Sequence, residues 1–110
     1  MEYPLCDRTV TVYRLREGSV QRQVFDRCYF RRTDSLAADS RGLQRKSSFL
    51  LILPGENLIY PGDRIYEGEG PQVSFGDWPD FTPEKVPGLV VAQQATPFYW
   101  QGRLSHYEAS

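Results

Sequence analysis

The chain has 110 residues, 40% hydrophobic and 14% aromatic, with 13 Lys or Arg against 14 Asp or Glu and a net charge of −1. That length gives one domain with a modest single core; the composition excludes a disordered chain, and the near-neutral balance excludes a strong overall field for steering nucleic acid. No apolar run approaches the roughly 20 residues that cross a bilayer, and Met1-Glu2-Tyr3-Pro4 lacks the basic and apolar segments of a leader, so an intracellular, soluble chain with no membrane partner is expected.

Residues 1–55 carry a net +4 and residues 56–110 a net −5. Either folding interleaves the two halves, or a positive side of one subunit can meet a negative side of the next in a head-to-tail contact. Cys6 and Cys28 are the only cysteines and have no CxxC spacing. Two free thiols packed as small apolar groups are expected, rather than a disulfide.

Thr9 to Leu15 alternates and is rich in β-branched residues, which predicts a strand. Glu17-Gly18-Ser19 turns the chain into a second, longer strand from Val20 to Arg32, completing a hairpin. Alternation along it places Val24, Asp26, Cys28 and Phe30 on one face and Phe25, Arg27, Tyr29 and Arg31 on the other. The apolar signal then lapses over Thr33 to Ser47, which reads as a long polar loop (33–47) of the kind that is functional or disordered.

Phe49-Leu50-Leu51-Ile52-Leu53 is a continuous apolar run stopped by Pro54-Gly55, the pattern of a strand buried on both faces. Pro61-Gly62 has the residues of a type II turn, proline presetting the first central φ and glycine accepting the positive second one. Leu58 to Tyr60 and Arg64 to Glu67 flank it as a second hairpin, closed at its far end by Gly68 and Gly70. Val73 and Phe75 have room for a short strand. Thr82-Pro83-Glu84-Lys85 starts a helix that Pro87-Gly88 stops after about one turn. Leu89 to Trp100 and Gly102 to Tyr107 form a final pair, with Thr96-Pro97 marking an edge or bulge. The fold class is therefore all-β: a small antiparallel barrel or sandwich of six to seven strands, with one long loop and at most one short helical turn.

Reactive chemistry is poorly represented. His106 is the only histidine and has no Cys, His or carboxylate cluster beside it, so a zinc site or a nucleophilic triad has no second member. The pairs Glu67/Glu69 and Asp77/Asp80 fall in solvated turns, whereas acid/base work needs two carboxyl groups in different environments. Gly68-Glu69-Gly70 lacks the third glycine and the helix of a dinucleotide loop. No catalytic residue, metal or cofactor is expected, and the chain is read as a non-enzyme.

Two features invite binding roles. The stretch from Arg31 to Lys46 carries +3, and Arg32, Arg41, Arg45 and Lys46 are candidates for sequence-independent phosphate contact. Aromatics crowd the C-terminal part, where Trp78, Phe81, Tyr99 and Trp100 are candidates for a subunit interface as well as for core.

The order "VTVYRL", "VFDRCYFRR", a polar loop, "SFLLILP", "YPGDRIYEG" and a last pair ending "SHYEAS" resembles small structural proteins of tailed phages and prophages. These are the head-closure, or stopper, proteins of the head–tail junction and related minor capsid proteins. The likeness spans roughly residues 8–107; its most characteristic part is Gly62-Asp63 with Gly68 five residues on, after Leu53-Pro54. "WPDFTPEKVPG" departs from the pattern. The resemblance implies a β-barrel that assembles as a ring beneath the portal, with the 33–47 loop in the channel against packaged DNA. It implies portal or adaptor and tail-completion proteins as partners, and a location in the host cytoplasm during assembly and in the virion afterwards. An oligonucleotide-binding-type barrel that binds nucleic acid is the alternative.

Overall fold

The computed structural model describes residues 6–39, 42–55 and 57–110, with the side chains of 34–47 left aside. Seven strands, β1 (Arg8–Arg16), β2 (Ser19–Asp39), β3 (Gly42–Pro54), β4 (Arg64–Glu67), β5 (Leu89–Val91), β6 (Ala95–Trp100) and β7 (Arg103–Ala109), form one antiparallel sheet. Its order is β5-β4-β1-β2-β3-β7-β6, and it curls into a half-barrel. A single 3₁₀ turn, Trp78–Asp80, is the helical content among the described residues. The expected all-β class with six to seven strands is what the chain adopts.

The core lies on both sides of β1. Val10 and Val12 point into the hollow of the half-barrel with Cys28, Phe30, Leu51, Leu53, Ile65 and Val90. Thr11 and Tyr13, on the opposite face, are both fully buried beneath the 68–88 segment, where Tyr13 packs with Phe81 and Leu89. The strand buried on both faces is therefore β1. In β3, Leu51 and Leu53 are buried but Leu50 is 36% exposed, so the apolar run expected to be enclosed has one open face. Thr11 tolerates enclosure because its hydroxyl donates to the Gly68 carbonyl and accepts from the Gly70 amide, each at 2.8 Å.

Five other expectations are corrected. A bulge shifts the β1–β2 register between Arg8↔Cys28 and Val10↔Phe25, with Arg27 at φ 56°. The extra residue puts Phe25 on the Cys28 face and Val24 on the other. No glycine marks that bulge in the sequence.

Leu58 to Tyr60 is not a strand, and β4 pairs instead with β1 and β5. The turn between them is nevertheless type II, with Gly62 at φ 95° and Asp63 donating its amide to the Tyr60 carbonyl at 3.0 Å. Residues 71–74 form no strand. Leu89 to Trp100 is two strands at opposite edges of the sheet: β5 beside β4, and β6 beside β7.

The largest correction concerns the expected loop. Residues 33–39 and 42–47 are paired strand, continuing β2 and β3 from Thr33↔Ser48 out to Asp39↔Gly42. The partnership of β1 with β2 ends at Cys28, and that of β7 with β3 begins at Leu51. From Arg31↔Leu50 outward the two strands pair only with each other, as an arm of roughly 30 Å. The radius of gyration of 15.1 Å exceeds the roughly 13 Å of a compact chain this long, as a projecting arm requires.

Candidate functional site

Arginines that contribute positive charge in the sequence act as internal ties. Arg14 donates Nε to Asp63 Oδ1 at 2.8 Å and Nη2 to Oδ2 of the same carboxylate, which also accepts the Tyr60 amide. Asp63 is 2% exposed, so this fork satisfies a buried charge, and its hydrogen bond holds the Arg14 guanidinium above its ordinary pKa. Arg22 donates to the Gly70 carbonyl. Arg64 lies 3.7 Å from the Trp78 ring centroid and donates to the Trp78 and Phe81 carbonyls at 2.6 Å each, with burial pushing its pKa down.

The Arg64 tie fastens the segment that has no place in the resemblance, 78–88, across the outer face of β1, β4 and β5. Gly70 is required for its own reason: a Cβ there would collide with the Tyr13 hydroxyl. Arg14–Asp63 and Arg22–Glu69 also join the positive half of the chain to the negative half, which reduces the lopsided charge.

Both cysteines are free thiols. Cys28 is buried, with Sγ 3.1 Å from the Arg8 carbonyl oxygen, and burial pushes its pKa up to about 11. His106, on β7, pairs Nε2 with Glu108 Oε2 at 3.0 Å and stacks on Phe98 at 4.8 Å and 6°. Asp80 is paired with Lys85, whose hydrogen bond lowers its pKa, and Asp77 with Ser74. Among the described residues no group of three or more His, Cys, Asp or Glu is placed to hold a metal ion, and no helix is long and apolar enough to cross a membrane.

Three of the four candidate phosphate contacts map to the arm. Arg32 is exposed at its base and faces Phe49 in register. Arg45 and Lys46 occupy positions opposite Leu36 and Ser35. Arg41 lies outside the described residues.

The four interface candidates separate. Phe81 is 6% exposed, its ring 4.6 Å from that of Tyr13, so it is core and offers no surface. Trp78 is half-buried under Arg64. Tyr99 and Trp100 are 66% and 61% exposed at the end of the β6–β7 hairpin.

A groove of about 750 Å³ at the β5 edge, walled by Phe49, Pro83, Leu89 and Val91, was not foreseen from the sequence. Its walls come from five separate segments, none of which marks it in the sequence. Comparison with protein-family models, with characterised proteins and with solved structures finds no match for the chain. The class defined by fold and surfaces is an all-β half-barrel carrying a two-stranded arm.

Proposed function

We propose that this chain is a non-enzymatic structural protein of a tailed-phage or prophage virion, a head-closure or head–tail connector that assembles as a ring at the portal–tail junction. The observation that carries this reading is the arm: a two-stranded ribbon of roughly 30 Å projecting from a small half-barrel body, with Arg32, Arg45 and Lys46 along it. In a ring, arms from successive subunits converge on the axis, where their charges oppose the phosphates of packaged DNA without reading its sequence. Portal or adaptor proteins and tail-completion proteins are its neighbours, and it passes from host cytoplasm to virion.

Electron microscopy of the purified chain at rising concentration tests this. Rings with a central opening are expected, and the opening should widen when residues 35–46 are replaced by Asn-Gly, which rejoins Asp34 and Ser47 through a type I′ turn. Particles without a central opening would refute the reading.

The exposed Tyr99 and Trp100 favour a second reading, a barrel that stacks single-stranded bases. It requires salt-dependent oligonucleotide binding by the monomer, with no rings.

A further inference from the structure

Two surfaces lie at opposite ends of the sheet order. One is the β6–β7 tip, where Gln101 at φ 50° and Gly102 at φ 79° give the backbone of a tight type I′ turn. This holds Tyr99 and Trp100 out from the body, with Arg103 paired to Trp100 across the hairpin. Tyr99 and Trp100, at 66% and 61%, are the most exposed of the large apolar side chains described, and they stand side by side on a stiff support.

The other is the β5-edge groove. Its volume of about 750 Å³ is in the range of pockets that enclose a drug-sized molecule, of order 300–1,000 Å³, and admits an indole and a phenol together. Phe49, Pro83 and Val91 offer apolar wall to the two rings, and Gln93 and Gln94 offer polar partners to the phenol hydroxyl and the indole N–H. Glu84 at its rim offers a carboxylate to Arg103.

A chain cannot fill its own groove with its own tip. Gln93 and Gln94 line the groove and lead into β6, which then carries Trp100 roughly 20 Å away as extended strand. Pro97 also interrupts the outer edge of β6, so β6 is a poor partner for backbone pairing and side chains must make the contact.

We propose that the Tyr99–Trp100 tip of one chain docks into the β5-edge groove of a second copy. The two patches differ, so the contact is heterologous and repeats from subunit to subunit. This rests on the reading of the chain as a self-assembling component, and it specifies the joint.

The test uses the full chain, Trp100→Ser at the tip, and Gln94→Arg to fill the groove from an exposed position. Sedimentation velocity should show wild-type mass rising with concentration, while each variant needs at least about tenfold more protein to associate, the loss expected of a central anchor. Thermal midpoints should match wild type, because both positions are exposed.

Mixing the two variants should give dimers and nothing larger, because each pair retains one intact tip and one intact groove. In a Trp78→Phe background, assembly should also shift Trp100 emission to the blue. Association of either variant like wild type, or failure of the mixture to dimerise, overturns the joint; rings that persist in Trp100→Ser do so while leaving the ring reading standing. Open filaments that need both patches do the reverse. A monomer whose Trp100 emission is quenched by single-stranded oligonucleotide overturns the joint in favour of base stacking.

Discussion

The body and the arm share two strands, β2 and β3, yet they are stabilised differently. In the body, β1 is enclosed on both faces, and its polar atoms are satisfied by segments distant in sequence: the Thr11 hydroxyl by Gly68 and Gly70, the Tyr13 hydroxyl by the Pro71 carbonyl at 2.7 Å. In the arm, β2 and β3 pair only with each other. A two-stranded ribbon is marginal by itself; this one persists as the continuation of strands anchored below. Lesions in the body should therefore unfold the molecule, whereas lesions in the arm should leave it folded.

The largest effect is expected at Tyr13. Its ring is fully buried against Phe81, so Tyr13→Ala should cost about 3–5 kcal/mol in urea unfolding. A cost below about 1 kcal/mol would show that the 68–88 segment is a loose cover, not a second core.

Next is a pH effect. Folded Cys28 keeps its proton up to about 11, while the unfolded thiol releases it near 9.0, so the folded state binds more protons between those values. The contribution is present in full below pH 9 and is lost as pH rises toward 11, amounting to about 2 kcal/mol. Urea midpoints at pH 8 and 10.5 should therefore fall further for wild type than for Cys28→Ala. Equal falls would place the thiol in water.

A smaller cost, about 1–2 kcal/mol, is expected for Gly62→Val. Its added Cβ meets nothing within 4 Å, so the φ of 95° accounts for the whole effect. An unchanged melting temperature would sink the type II turn.

The smallest effect belongs to the arm. Replacing residues 35–46 by Asn-Gly should change stability by less than about 1 kcal/mol, because the backbone pairing removed is that of the arm with itself and a shorter loop closes at little entropic cost. A collapse in stability would erase the distinction between arm and body.

Much of the body was legible in the sequence. The alternation in "TVTVYRL", the Gly18 turn, the Pro61-Gly62 turn and the edge position marked by Pro97 all appear where their residues point. The arm was not. Its residues are mostly polar, so the hydrophobic period that identifies a strand is missing even though the backbone pairs from Thr33↔Ser48 out to Asp39↔Gly42.

The candidate site divided similarly. Tyr99 and Trp100 stood out by type and are exposed, but Phe81 looked the same and is core, because only the packing of 68–88 onto Tyr13 distinguishes them. The groove had no signature, since Phe49, Pro83 and Val91 become neighbours only when the sheet curls.

By itself the sequence determined that this is an all-β chain, where its tightest turns fall and which residues carry its aromatic and basic surface. Those properties follow from φ preferences and from alternation over a few residues. Tertiary structure alone decided which strand is enclosed, how the register slips at Arg27, and that the polar stretch is an arm. Such choices depend on partners far along the chain, as when a buried threonine is satisfied by a carbonyl 57 residues away.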